Sequence, residues 1–240
     1  MNMVDNWETH QRILVVLAHP DDPEFFCGAT VARWVLDGHR VVYWLLTCGD
    51  KGASDPMIST SDLCGDRHKE QRAAAAVLGV EEVNFLDNPD GYLVADLKLR
   101  EDITRIIRKE RPDILVTCDP RTLTVGDNRI NHPDHRAAGQ ATLDAVFPAA
   151  GNPLYFPDLL RLEGLHPHTP REVWICGTQE PNVWMDVTQL WEKKIQALHQ
   201  HKSQIGDPHA FTERMRSRRT PDSTVEEPRY EENFRRIVLF

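Results

Sequence analysis

Two short segments hold residue types and spacings suited to chemistry. Ala18-His19-Pro20-Asp21-Asp22-Pro23-Glu24 follows the apolar run Ile13-Leu14-Val15-Val16-Leu17, and Asn131-His132-Pro133-Asp134-His135-Arg136 comes more than a hundred residues later. Imidazoles and carboxylates together make a borderline-to-hard donor set, suited to zinc or ferrous iron. Two adjacent aspartates allow one to hold a metal while the other handles a proton, and spacing alone does not choose between Asp21 and Asp22. The bland reading of each segment is a helix cap and turn, because Asp beside Pro is common where a strand hands over to a helix. Recurrence of His-Pro-Asp at two loop-to-helix junctions favours one shared metal site over two unrelated turns.

The elements that must position these residues follow from the hydrophobic pattern. Residues 13–17 read as a fully buried strand, 25–36 as a helix stopped by Asp37-Gly38, and 40–47 as a second buried strand. That strand ends in Thr47-Cys48-Gly49-Asp50-Lys51-Gly52, a loop whose glycines let backbone approach a ligand. A polar, flexible segment is expected over 53–66, then an alanine-rich helix over 67–78, a short strand over 83–86 and a turn at Asp87-Asn88-Pro89-Asp90-Gly91. Residues 97–110 have helical periodicity, 113–117 read as a strand, 118–131 as a long loop, and Pro133 opens a helix to about Val146. Strand and helix alternate, which predicts right-handed βαβ crossovers. The fold class is therefore α/β: a Rossmann-like, mostly parallel sheet with helices on both faces. Both chemical segments then lie along the carboxyl edge of the sheet, where open α/β folds bind ligands.

Past Phe147 the pattern loosens. Residues 148–170 hold five prolines and read as a rim or lid. Short strands are expected at 172–176 and 182–186, as a late antiparallel pair, and Thr188 should cap a helix to about His201. From Gly206 the chain is charged, but Ile237-Val238-Leu239-Phe240 is an ending a disordered tail would not need, so the tail should dock. One domain is expected, with a core over about 12–204 and a docked extension over 205–240.

Net charge is −9 and the pI about 5.6, which argues against a protein that tracks nucleic-acid phosphates. The five cysteines (27, 48, 64, 118 and 176) form no C-x-x-C pair, and their scatter through apolar segments suggests reduced, mostly buried thiols in a cytoplasmic protein. Residues 1–11 lack a signal-peptide core, and no apolar run approaches membrane-spanning length, so no membrane partner is expected.

The two segments also carry a family resemblance. Ala18-His19-Pro20-Asp21-Asp22-x-Glu24 and His132-Pro133-Asp134-His135-Arg136 resemble the paired signatures of the N-acetylglucosaminyl-phosphatidylinositol de-N-acetylase (PIG-L/LmbE-like) family. Thr47-x-Gly49-Asp50-Lys51-Gly52, Arg67-x-x-Glu70, Leu86-x-x-x-Asp90-Gly91 and His201-x-Ser203-Gln204 stand in the expected order, and Glu232-x-Phe234-Arg235 matches loosely in the tail. The resemblance implies that His19, Asp22 and His135 hold Zn²⁺, or Fe²⁺ in the cell. It makes Asp21 the general base, His132 the residue facing developing charge, and Asp134 the residue orienting His132. It further implies that Arg67 and Asp90 contact sugar hydroxyls, against a bland reading as cap and turn. Lys51 is more simply a solvated loop lysine, and His201 lines the site or merely ends a helix. The pairs His166-x-His168 and His199-x-His201 lack partners at ligand spacing, so neither reads as a second metal site.

The leading function is metal-dependent removal of an acetyl group from an N-acetylated amino sugar or its small-molecule conjugate. An amidase acting on a glucosamine-containing thiol conjugate is the near alternative. A non-catalytic nucleotide- or sugar-binding Rossmann-like module is the distant one, although the first strand is followed by His-Pro-Asp-Asp where G-x-G-x-x-G would be needed. The partner expected is a soluble small molecule, and association into a homo-oligomer is compatible with the chain.

Overall fold

A computed structural model describes Asp5, residues 7–53 and residues 55–239. In chain order its elements are β1 (Arg12–Leu17), α1 (Asp22–Leu36), β2 (Arg40–Thr47), α2 (Thr60–Leu78), β3 (Glu82–Asn88), α3 (Leu97–Glu110) and β4 (Ile114–Cys118). A small hairpin, β5 (Thr124–Val125) and β6 (Arg129–Ile130), precedes α4 (Pro133–Asp144), and α5 (Pro157–Arg161) interrupts the proline-rich stretch. The C-terminal part comprises β7 (Glu172–Cys176), β8 (Val183–Asp186), α6 (Trp191–Leu198), α7 (Lys202–Ile205), α8 (Pro208–Arg216) and β9 (Glu231–Val238).

Seven strands form one sheet in the order β3-β2-β1-β4-β7-β9-β8. The strands from β3 to β7 pair in parallel, as expected of buried apolar runs joined by helices. Alternate side chains feed two core layers. Val15, Leu17 and Tyr43 face Trp34 of α1 and Leu78 of α2, while Leu14, Val16 and Leu115 face Ile103 and Ile107 of α3 and Ala138 of α4. The α/β class with helices on both faces is thus as expected. No helix among the described residues is long and apolar enough to cross a membrane.

Three expectations are corrected. First, α2 starts at Thr60, seven residues before the expected onset, because its otherwise polar first turns are anchored by buried Leu63 and by the link from Cys64 to Cys48. Second, β7 and β8 do not pair with each other: β9 lies between them, antiparallel to both. The alternation that lets it do so is weak in sequence, with Glu232 and Phe234 buried and Asn233 and Arg235 exposed. Third, the thiols are not all reduced. Cys48, just past β2, and Cys64 of α2 form a disulfide across 16 residues of loop and helix, whereas Cys27, Cys118 and Cys176 are free and buried. Nothing local in the chain marks that contact, since it depends on how α2 lies against the end of β2.

The parallel register sets the carboxyl ends of β1 and β4 side by side, with Ile13 opposite Ile114 and Val15 opposite Val116. Helix α4 then lies directly on the end of β4. A Cβ at Gly139 would collide with the Cys118 carbonyl, so only glycine permits this approach. That close packing aims the N-terminus of α4 at the loop leaving β1.

Candidate active site

The loop after β1 holds a strained residue. Asp21 has φ 94°, in the left-handed region, and adjoining groups determine it on several sides. Its backbone N–H donates to Gln71 Oε1 at 2.7 Å, and its carboxylate accepts from Arg67 Nη2 at 3.2 Å. The same Nη2 donates to the Pro20 carbonyl, and Nη1 donates to the Gly49 carbonyl at 3.0 Å. Gly49 has φ +66°, and any Cβ there would strike the guanidinium. Gln71 Nε2 donates to both Glu24 oxygens at 3.0 Å, and His201 Nε2 meets Glu24 Oε2 at 3.0 Å. Asp21 is therefore held by a buried network that spans α1, α2 and the turn between α6 and α7.

Asp22 opens α1 and stands between two imidazoles. Its Oδ2 lies 3.3 Å from His19 Nδ1, and its Oδ1 lies 3.1 Å from His135 Nε2. The outer nitrogen of each ring also faces oxygen. His135 Nδ1 meets Asn131 Oδ1 at 2.9 Å, while His19 Nε2 lies 3.1 Å from Asp90 Oδ1 and 3.4 Å from Asp134 Oδ2. Outer carboxylate or amide oxygens behind each imidazole are the arrangement that orients metal-ligating histidines. His19 Nε2 is buried and its approaches to these carboxylates lack hydrogen-bond alignment. One donor atom each from His19, Asp22 and His135 lies within 4.8 Å of the others, and the same holds for His19, Asp90, His132 and Asp134. The donor set fits a divalent cation, and His19 belongs to both groupings.

The charges are polarised accordingly. Burial alone would lower the His19 imidazole, but Asp22, Asp134 and Asp90 outweigh it and hold its pKa well above the usual value. Burial alone would raise Asp22, but His135 and His19 hold it well below the carboxylate range. Asp21 goes the other way. Burial pushes it up, Arg67 restrains it, Asp22 adds repulsion, and the result is about 6. Two neighbouring carboxylates are thus driven apart, one fixed as an anion and one poised to exchange a proton near neutrality.

His132 caps the N-terminus of α4: its Nδ1 accepts the Asp134 backbone N–H at 3.2 Å. Burial and the nearby His19 lower its pKa, so the ring is neutral at pH 7, and with Nδ1 accepting, its proton sits on Nε2. Its side chain is 40% exposed, the most open member of the cluster. The Asp134 carboxylate does not face that ring nitrogen. It accepts from Gly91 N–H at 2.7 Å and Leu93 N–H at 3.2 Å, fixing the loop that carries Asp90. Contact with His132 comes from the main chain of Asp134.

Residues 14–146 match the PIG-L family (GlcNAc-PI de-N-acetylase). The chain is 36% identical over 195 residues to a diacetylchitobiose deacetylase of Thermococcus kodakarensis, covering 81% of this chain and 70% of that protein. This chain belongs to the PIG-L family. A 1D-myo-inositol 2-acetamido-2-deoxy-alpha-D-glucopyranoside deacetylase of Geodermatophilus obscurus is 31% identical over 176 residues, covering 62% of this chain and 57% of that protein. Among solved structures, the N,N'-diacetylchitobiose deacetylase of Pyrococcus horikoshii superposes with a TM-score of 0.85 at 29% identity, covering 95% of this chain and 84% of that one. These PIG-L relatives are deacetylases, hydrolases of amide bonds, in line with the leading expectation rather than with the amidase or the binding module.

Within the PIG-L signatures, not every residue reaches the open site. Asp90 is beside it, with Oδ1 3.6 Å from His132 Nε2. Arg67 is buried and its two terminal nitrogens donate to Gly49, Pro20 and Asp21, so it faces the base rather than the opening. His201 is completely buried behind Glu24. Lys51 is at the rim, paired with Asp50 at 2.9 Å and 4.9 Å above the Tyr92 ring. Sequence reading assigned no part to Gln71 or Asn131, although the first follows Arg67 by one helical turn and the second adjoins His132. Glu70 also has a partner that only folding supplies: it accepts from Ser203 N–H at 2.8 Å and Oγ at 2.7 Å, tying two of the signatures together.

Proposed function

We propose that this protein is a zinc-dependent N-deacetylase of soluble N-acetylated amino sugars or their small conjugates, with the metal held by His19, Asp22 and His135. The observation that carries this reading is the Asp22 carboxylate, 3.3 and 3.1 Å from two imidazoles brought in by distant turns, with Asp21 beside it at a pKa of about 6. When bound, a divalent ion polarises an amide carbonyl and brings the pKa of water to about 7.

The chain's own residues then divide the remaining work. Asp21 accepts the proton of the water that adds to the acetyl carbon and returns it to the amine nitrogen as the C–N bond breaks. Arg67 keeps that carboxylate aimed and ionised at neutral pH. His132 turns its Nε2–H toward the opening and donates to the carbonyl oxygen as negative charge develops, aided by the positive end of α4. A neutral donor suits this role, because it need not release a proton to act. Products are acetate and a free amine.

A cavity of about 250 Å³ adjoins His135, lined by Phe26, Asp119, Thr122, Asn131 and Gly177 and bordered by the β5–β6 hairpin. Its mixed apolar and polar wall suits a sugar ring flanking the acetamide. The 205–240 segment works as part of the same catalytic unit, since β9 completes the sheet behind α1. The test is acetate and amine release from N-acetylglucosamine, diacetylchitobiose and N-acetylglucosaminyl-inositol, with and without chelator. Chelator-sensitive release from at least one is expected. Chelator-insensitive release, or none from any of the three, would overturn the reading.

A further inference from the structure

A second cluster of ligating side chains lies outside the site described above. Cys48 just past β2, Cys64 and His68 on α2, and Asp87 of β3 meet on the carboxyl side of the sheet. In the structure the two sulfurs form a disulfide, with Cα atoms 5.1 Å apart. His68 Nε2 lies 3.9 Å from Cys64 Sγ and 2.9 Å from Asp87 Oδ1. One donor atom from each of the four lies within 4.8 Å of all the others. Cys64 and His68, four residues apart, share a face of α2, and the imidazole is stacked on Phe85 at 3.7 Å between centroids, which fixes its edge toward the cluster.

We propose that, once the disulfide is reduced, Cys48, Cys64, His68 and Asp87 form a second, structural zinc site. Two thiolates, an imidazole and a carboxylate are all donors that zinc takes, and four of them are enough to close a tetrahedral site. A dithiol or phosphine supplies the two electrons. With a phosphine, one water oxygen passes to phosphorus, two thiols form, and metal binding displaces their two protons. Sulfurs bound at about 2.3 Å to one tetrahedral ion stand about 3.8 Å apart, so the disulfide and the metal are alternatives at one place.

Position gives the site a purpose. Cys48 precedes Gly49, whose carbonyl accepts from Arg67, and Arg67 lies between Cys64 and His68 on α2. Either linkage therefore staples α2 to the end of β2 behind the residue that holds Asp21. The N- and O-only cluster around His19 and the S-containing cluster around Cys48 are separable in spectroscopy, because only the latter can give thiolate-to-metal charge transfer.

The test uses the full chain, oxidised and phosphine-reduced, dialysed against Co²⁺. The reduced protein is expected to bind an additional ion per chain with a near-ultraviolet thiolate-to-cobalt band that the oxidised protein lacks. His68→Ala, and separately Cys48→Ser with Cys64→Ser, should lose that ion and band while keeping the ion at the His19 centre. Equal cobalt content in oxidised and reduced protein would overturn the proposal. So would a band that survives in the double serine variant, since it would then arise from Cys27, Cys118 or Cys176. Should the double variant not fold, the oxidised-to-reduced comparison and His68→Ala still decide the matter.

Discussion

Helix α1 carries two buried charge clusters, and they are built on opposite principles. At its N-terminus, Asp21, Asp22 and the surrounding imidazoles crowd together, with a left-handed residue and a buried ring nitrogen that finds no aligned partner. In its middle, the backbone departs from helical geometry at Cys27, which frees groups that a continuous helix would pair. There Glu232 of β9 accepts from Ala29 N–H at 3.1 Å and Thr30 N–H at 2.8 Å. Lys194 of α6 donates to the Phe25 carbonyl at 2.9 Å and to Glu232 Oε1 at 2.6 Å. This second cluster pairs the exposed backbone groups and both charges, and it mends the break. Completed pairing marks a structural role, whereas donors and acceptors left facing one another mark a place waiting for ion and substrate.

The largest effect that would test this contrast is loss of the metal. Asp22→Ala or His135→Ala should abolish both bound zinc, read by metal analysis, and deacetylation, while circular dichroism shows a folded chain. Next, Asp21→Asn should lower kcat by about 10²–10⁴-fold while zinc content stays that of the parent. Zinc loss in that variant would exchange the roles of the two aspartates. Because the folded chain holds Asp21 near 6, above its ordinary value of 3.8, stability is lost as pH rises from about 4 through about 6 and stays at the lower level above that. The same substitution should therefore raise Tm at pH 7 to 8 and leave it unchanged at pH 4.

On the structural side, Lys194→Met strands the Glu232 carboxylate and should cost about 3–5 kcal/mol in denaturant unfolding, with zinc content intact. A loss of zinc without a loss of stability would erase the distinction between the clusters. A subtler probe is the pH profile. kcat/KM should rise with pH through about 6 as Asp21 ionises, and Arg67→Gln should move that limb upward, because a restraining positive charge is gone. At the small end, Lys51→Ala removes a surface pair with Asp50 and a contact with the Tyr92 ring and should change stability by no more than about 1 kcal/mol.

Much of the frame was legible because its signals are local. Strand 40–47, helix 97–110 and strand 172–176 coincide with the elements read from periodicity, since each packs a self-contained apolar pattern. The first turns of α2 and the register of β9 were not legible, because their polar sequences become helix and strand only against neighbours supplied by the fold. Arg67 and His201 show the same divide within the site. The family resemblance implied sugar contact for Arg67, and His201 read as lining the site or ending a helix, whereas in the structure Arg67 turns inward to Asp21 and His201 lies behind Glu24.

By itself the sequence determined the donor types, the two turns that bear them, and the alternation of strand and helix that sends both turns to one edge. These follow from residue chemistry and short-range periodicity. Only the tertiary structure decided which aspartate stands between the imidazoles, which is driven toward neutrality, and that Cys48 meets Cys64 beside His68 and Asp87. Those outcomes depend on distances of a few ångströms between segments far apart in the chain, and on how much water their packing excludes.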